Sequence, residues 1–380
     1  MKETEKYLDK IKGSLYGGAV GDSLGYPIEF FHEDEILERY GNSGIQEFKL
    51  DPKTGKALIS DDTQMSLFTA NGVLFAQTRG KLRGIGGAPR YYMEHFYLDW
   101  LITQEYAFAE KDKAEGLKLS WLLDVPELYS RKAPGNTCLS SLERIKRERF
   151  KPEDGDYISD PQNDSKGCGG IMRVAPMGLA SYTNISMDTI DKEGAQLSAI
   201  THGHPLGYMS AAVLVHIVHQ LVYSDDNRSL KDIVLEARDK VSDLFADNKF
   251  IKELTDIINL SIELSENNDT DLNNIHRLGE GWVAEETLGI ALYCSLKYHN
   301  DFDKAITAAV NHNGDSDSTG SVTGNIAGAI VGYDSINDKW KHDLELSDVI
   351  LEMASDLCNG CQMSEFSPYK DKVWLKKYVR

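Results

Sequence analysis

Eight glycines in two evenly spaced stripes constrain this 380-residue chain more than any other feature. Gly13, Gly17, Gly21 and Gly25 recur every four residues, and Gly320, Gly324, Gly328 and Gly332 repeat the spacing near the other end. On an α-helix, positions four apart share one slowly drifting face. A glycine inside a helix costs roughly 1 kcal/mol relative to alanine, so two helical stripes carry a penalty of several such increments. Close approach of another backbone is the usual compensation, because glycine has no Cβ to hold it off. Either parts of the stripes are loops, or both are tightly packed core helices, packed in the simplest case against each other. The second reading is the expectation.

The remaining pattern is also helical. Tyr7, Ile11, Leu15 and Tyr16 recur at three to four residues, as do Val213, Leu214, Ile217, Val218 and Leu221, and Ile251, Leu254, Ile257, Ile258 and Ile262. Met65, Leu67, Phe68, Val73 and Phe75 follow it less strictly. Period-two alternation is scarce, and only residues 47–50 suggest a short strand. The expected fold class is all-α, a single compact multi-helix domain over residues 1–380. Residues 151–166 (KPEDGDYISDPQNDSK) read as a polar loop, and 224–229 and 266–274 as helix connectors.

Composition narrows the function. Hydrophobic residues make up 41% of the chain, enough for a large core without disulfide staples. Lys and Arg number 41 against 60 Asp and Glu, a formal charge of −19. That charge repels phosphate backbones, so a nucleic-acid partner is not expected. The first thirteen residues are charged throughout and do not resemble a secretory signal. The most apolar stretch, residues 211–222, is short and holds His216 and His219, so no membrane span is expected. Five cysteines, an odd number, suit reduced thiols and a cytoplasmic setting.

Two carboxylate motifs carry the chemistry. Ser60-Asp61-Asp62-Thr63 precedes a helical apolar run, with Ser60 a plausible N-cap, and Asp315-Ser316-Asp317-Ser318-Thr319 precedes the second glycine stripe. The bland reading is a pair of acidic helix starts, where the helix dipole tolerates negative charge. The sharper reading is that the two tips converge. Four carboxylates and two hydroxyls in one small volume repel one another unless a cation fills the space. The donors are all hard oxygen, which favours Mg²⁺ or Mn²⁺ over Zn²⁺ or copper, and four formal negatives suit two divalent ions. Two rivals fail. An EF-hand loop beginning at Asp315 requires Glu at its twelfth position, where Ile326 stands. An Asp-x-Asp-x-Thr phosphatase motif fits Asp315, Asp317 and Thr319, but the preceding segment is not a buried strand and too little chain follows.

Taken together, the motifs resemble the ADP-ribosylglycohydrolase family. The matching pieces are residues 13–30 (GSLYGGAVGDSLGYPIEF), 60–67 (SDDTQMSL), 134–137 (PGNT), 167–179 (GCGGIMRVAPMGL), 201–205 (THGHP), 279–292 (GEGWVAEETLGIAL) and 311–332, in the family's order. Residues 80–132, 225–275 and 335–380 match weakly. The resemblance implies an all-α fold with a binuclear Mg²⁺ or Mn²⁺ centre, its ligands carried over to Ser60, Asp61, Asp62, Asp315, Asp317 and Ser318. Ser60 replaces the family's usual Thr and keeps the hydroxyl. The family glutamate that approaches the metals or the scissile bond corresponds to Glu29.

The reaction so implied is hydrolysis at C1″ of the distal ribose, releasing ADP-ribose from a modified protein, with arginine the leading acceptor. Its transition state has oxocarbenium character. Glu29 is expected to serve as a general base or to position the substrate, with Asp61 and Asp317 also catalytic. Backbone N–H groups of Gly167-Cys168-Gly169-Gly170 can bind a pyrophosphate without cationic side chains. By family position His202 is expected to contact the ligand, while His204 is structural. Cys358 and Cys361 match C-x-x-C without a second pair, so neither zinc nor redox chemistry is expected. Trp282, Glu285 and Glu286 read as core packing and helix-start charge, although the family pattern brings that segment near the site. Arg173 reads as a buried salt-bridge residue. The alternatives are an O-linked substrate (ADP-ribosyl-serine or O-acetyl-ADP-ribose), a non-catalytic ADP-ribose binder, or a partner that blocks an ADP-ribosyltransferase.

Overall fold

The computed structural model describes residues 3–84, 87–182, 185–224 and 227–379. Helix dominates throughout. In chain order the α-helices are α1 (Glu3–Gly25), α2 (Glu33–Tyr40), α3 (Asp61–Arg83), α4 (Arg90–Glu105), α5 (Asn136–Glu148), α6 (Ala175–Leu179), α7 (Met187–Ala199) and α8 (Pro205–Tyr223). There follow α9 (Leu230–Leu244), α10 (Ile251–Ser265), α11 (Asp271–Leu278), α12 (Ala284–Lys297), α13 (Phe302–Val310), α14 (Ser316–Val331), α15 (Ser347–Asn359) and α16 (Lys372–Tyr378). The all-α expectation holds. The strand expected at residues 47–50 does not form: Leu50 makes a single isolated bridge to Ala57. Four residues without a partner strand leave too many unpaired backbone groups to stand alone.

Both glycine stripes are helical, and they pack against each other. A Cβ on Gly13, Gly21, Gly324 or Gly328 would fall within 3.0 Å of backbone on the opposing helix, closer than real carbons approach. Pairing runs antiparallel, Gly13 with Gly328, Gly17 with Gly324, Gly21 with Gly320 and Gly25 with Ser316. Midway, Ser14 Oγ donates to Asn325 O (2.8 Å) and Asn325 Nδ2 donates to Ser14 O (2.9 Å). The hydrogen bonds and dispersion contacts of so close an approach offset the helix penalty of the glycines. Gly332 lies just past the end of α14 with φ of 76°, a conformation that favours glycine.

The main hydrophobic core draws residues from Ile11 to Tyr378, so both ends of the chain close over it. Helix α8 is long and apolar enough to cross a membrane, yet most of it is buried inside the protein. The neighbours that bury it include α6, α7, α9 and α12. Residues 151–166 form the expected polar loop around one short 3₁₀ turn, Glu153–Gly155. The connector expected at 266–274 is shorter, because Thr270 caps α11 by accepting from Asn273 N. The antiparallel α1–α14 pair has one functional consequence. It sets the C-terminal end of α1, and Glu29 just beyond it, beside the first turn of α14.

Candidate active site

Three chain segments deliver carboxylates to one place. Ser60 Oγ caps α3 by accepting from Asp62 N (3.2 Å), which fixes Asp61 and Asp62 in the first turn. Asp315 Oδ1 caps α14 by accepting from Ser318 N (3.2 Å), with Asp317 in the first turn. Glu29 follows the 3₁₀ turn Tyr26–Ile28 at the end of α1. The bland and sharp readings of the two motifs are therefore both true: the acidic residues are helix starts, and the helix starts meet. Carboxylate oxygens of Glu29, Asp315 and Asp317 lie within 4.8 Å of one another. Glu29, Asp61, Asp62, Asp315, Asp317 and Ser318 all line one cavity of about 190 Å³.

The glycine turn abuts the acidic cluster, with Cys168 Sγ donating to Asp315 Oδ2 (2.7 Å). Gly167, Cys168, Gly169 and His202 line the same cavity, together with Asn136, Thr137 and Trp282. A Cβ on Gly169 would sit 2.9 Å from the His202 ring, so glycine is what lets the turn lie against the histidine. His202 Nδ1 bonds Thr201 Oγ1 (2.8 Å). The Cys168 N–H donates to Trp282 O (3.2 Å) and is not open to a phosphate in this geometry. Gly170 is buried and does not line the cavity; a Cβ there would strike Ser198. Ser60 is likewise buried and absent from the lining.

Electrostatics show how ill-matched this cluster is to being empty of positive charge. Among the described residues no Lys or Arg pairs with any of the five carboxylates, and Glu29 Oε2 and Asp62 Oδ2 are buried without a hydrogen-bond partner. Burial, and then the Asp315, Asp61 and Asp22 carboxylates, push Glu29 up to about 9. Burial first and neighbouring carboxylates second hold Asp62 and Asp317 well above the ordinary carboxylate range; burial raises Asp61 similarly, against a hydrogen bond from Gly135 N. Five buried carboxylates, two of them with an orphaned oxygen, form a set of hard donors that fits divalent cations. His202 behaves oppositely: burial, then the Arg173 charge, pull it down to about 3, so it is a neutral imidazole at physiological pH.

Asp22 escaped the sequence reading, and the structure revises or bears out the reading of several others. Asp22 is fully buried beneath the α3 start, where its carboxylate accepts from the N–H groups of Ser60 (2.9 Å) and Thr63 (3.1 Å) and from Thr63 Oγ1. It sits inside the first glycine stripe, and only the fold shows that the stripe's polar neighbour faces α3. Trp282 is not core packing: it is 39% exposed and stacks on Phe30, with ring centroids 6.1 Å apart. Glu285 pairs with Lys166, and Glu286 Oε2 accepts from Glu280 N (3.0 Å), so neither enters the cavity. Arg173 is fully buried, but no carboxylate of a described residue pairs with it. Its guanidinium donates to Thr201 Oγ1 (2.7 Å) and Leu197 O (3.2 Å) and lies 4.1 Å over the Tyr97 ring. The carboxylates of the region are committed to the cavity, which leaves this cation to carbonyl, hydroxyl and ring partners. His204 caps α8 by accepting from Leu206 N (3.1 Å), as expected of a structural histidine. All five cysteines are free.

Known proteins are similar to this chain along most of its length. The chain is 24% identical over 351 residues to the ADP-ribosylarginine hydrolase Tri1 of Serratia proteamaculans, covering 92% of this chain and 79% of that protein. It is 23% identical over 369 residues to human ADP-ribosylhydrolase ARH3, covering 89% and 90%. A solved structure described as an ADP-ribosylglycohydrolase-related protein complex superposes with a TM-score of 0.63 at 21% identity, covering 93% of this chain and 99% of that one. The family model for ADP-ribosylglycohydrolase matches residues 3–366, nearly the whole fold and every residue of the acidic cavity, and the chain accordingly belongs to the ADP-ribosylglycohydrolase family.

Proposed function

We propose that this protein hydrolyses the bond between ADP-ribose and a modified protein side chain, with arginine the acceptor. The observation that carries the reading is the meeting of Glu29, Asp61, Asp62, Asp315 and Asp317 from three distant segments in one cavity. A cavity of about 190 Å³ is smaller than the sites that enclose drug-sized ligands. It suits the distal ribose and its scissile bond, with the remainder of the ligand lying along the walls outside.

Asp61, Asp62, Asp315 and Asp317 would hold two divalent cations, Mg²⁺ or Mn²⁺, with the Ser318 hydroxyl as a further donor, while Ser60 seats the first turn of α3 beneath them. When bound, such ions lower the pKa of a coordinated water and stabilise negative charge on ribose hydroxyls. The chain's own residues do the rest. Glu29 lies within reach of Asp315 and Asp317; with cation charge in the cavity offsetting the carboxylates that push it up to about 9, it would stand ionised, orient the attacking water and accept its proton. The cavity's negative charge stabilises the oxocarbenium character at C1″. Of the glycine turn, Gly169 is left to meet the pyrophosphate side of the ligand together with neutral His202, since the Gly167 and Cys168 N–H groups are bonded within the protein. Water adds its oxygen to C1″, the C1″–N bond breaks, and the guanidine nitrogen takes up a proton. With two divalent ions compensating four of the five carboxylates, the site keeps a net negative charge on a chain of charge −19, which favours a cationic acceptor. Five free thiols suit the cytoplasmic setting we propose.

The test is direct. ADP-ribosyl-arginine and ADP-ribosyl-serine model substrates are incubated with the protein in Mg²⁺, Mn²⁺ or EDTA, and free ADP-ribose is measured. Release from the arginine substrate that EDTA abolishes is expected. Release only from the serine substrate moves the acceptor to the O-linked class, and release from neither removes the hydrolase reading.

A further inference from the structure

We propose that Phe30 and Trp282 form an aromatic platform that selects a planar cationic acceptor, a guanidinium, at the mouth of the acidic cavity; this rests on the hydrolase reading above. Phe30 directly follows Glu29 and is 71% exposed, and Trp282 is 39% exposed. Their rings stack with an interplanar angle of 21°. Neither ring belongs to a hydrophobic core cluster. Trp282 lines the acidic cavity, while Phe30 lines an adjoining cleft of about 490 Å³ together with Tyr26, Pro27, Leu50 and Leu58. Ala133 lines both spaces, so the two are neighbours.

Large apolar rings left exposed beside a cavity mark a recognition surface. Direction follows from the substrate's own connectivity. With C1″ at Glu29, the leaving group departs beside the next residue, Phe30, and Trp282, whose carbonyl is bonded to the glycine turn through Cys168 N, closes the space from the other side. What the surface offers there is aromatic face beside concentrated negative charge. A guanidinium is flat, delocalised and weakly hydrated, and it stacks on such faces. A serine oxygen has neither charge nor plane to offer. Lys49 and Asp51 also line the cleft; they carry opposite charges, and Asp51 Oδ2 accepts from the N–H groups of Lys53 and Thr54.

Wild type, Phe30→Ala, Trp282→Ala and Trp282→Phe are compared on arginine-linked and serine-linked ADP-ribosyl peptides of otherwise identical sequence, with Mg²⁺ present. The expected result is a fall of roughly 3- to 30-fold in the arginine-over-serine ratio of kcat/KM for both alanine variants. The loss is expected in KM for the arginine peptide, with Trp282→Phe recovering most of it. An unmoved ratio, or equal losses on both peptides, overturns the platform. Wild-type release from the serine peptide alone also overturns it while leaving the hydrolase intact. Release from neither overturns the hydrolase, and calorimetry then decides the platform separately. Wild type binding ADP-ribosyl-arginine at least threefold tighter than ADP-ribose, with Phe30→Ala erasing the difference, supports it; equal affinities sink it.

Discussion

Gly21 and Gly320 meet back to back, each placed so that a Cβ would strike the other's carbonyl oxygen. One residue further on, Asp22 turns away from this contact to hold the start of α3. The same short stretch of α1 therefore sets the spacing to α14 and the seat of α3, the two helices whose first turns supply the aspartates.

Replacing Gly21 with alanine is expected to force α1 and α14 apart. Overpacking in a well-filled core costs about 1–3 kcal/mol, and here the obstruction is backbone, which cannot rotate aside. Denaturant titration checks the stability. ADP-ribose release is expected to fall further than stability alone explains, because Glu29 and Asp315 ride on the separated elements. An alanine variant of wild-type stability and activity contradicts the close pairing.

Cation removal is expected to lower stability as well as activity. Five uncompensated carboxylates repel one another once nothing divides them. A ligand at 100 times its Kd adds about 2.7 kcal/mol to the folded state, so Mg²⁺ or Mn²⁺ is expected to raise Tm and EDTA to reverse it. Asp317→Ala is expected to lose the Tm response and turnover together. Titration calorimetry with Mn²⁺ on the variant measures this directly; an unchanged isotherm would exclude Asp317 as a ligand.

Glu29→Gln removes the group placed to take the proton from water. A positioned base contributes roughly 10²–10⁴-fold, so kcat is expected to fall at least a hundredfold while ADP-ribose still binds. Undiminished turnover would remove the catalytic role and leave Glu29 as a cation neighbour only.

Asp22→Asn places an amide where two N–H groups and a hydroxyl donate. Leaving a buried group unsatisfied costs about 1–3 kcal/mol, and the first turn of α3 is the part expected to loosen. Burial, opposed by the hydrogen bonds from Thr63 and Ser60, raises Asp22 to about 6 in the folded protein. Thr63→Val is the milder companion, removing one donor and keeping the shape. Reduced cation affinity in both variants, read by calorimetry, is the expected signature of a positioning residue.

Acid is expected to destabilise the protein partly through His202. Its folded value of about 3 lies below the ordinary histidine value near 6.5. Between those values the unfolded chain binds the extra proton, so stability is full above pH 6.5 and falls as pH drops toward 3. The slope from this one group is at most about 1.4 kcal/mol per pH unit. His202→Asn is expected to flatten the Tm-against-pH curve over that window, and an unaltered curve would show that the ring already titrates normally.

Local periodicity alone determined the helices and the cost that forced two of them together. Four-residue glycine spacing names a face and a penalty, and the penalty demands a partner. Acidic residues at helix starts were equally legible, because N-caps depend on neighbours within three residues. The expectation that those starts meet was sound for the same reason: like charges at buried termini need a shared counterion. What lay beyond the sequence was direction. Trp282 reads as core by composition and faces the cavity mouth in the fold. Arg173 reads as an ion-pair partner and is held by hydroxyl, carbonyl and ring instead. Asp22 reads as one letter in a glycine stripe and caps a helix 38 residues away. In each case the side chain's surroundings come from segments distant in sequence, and only packing in three dimensions decides which of them arrive.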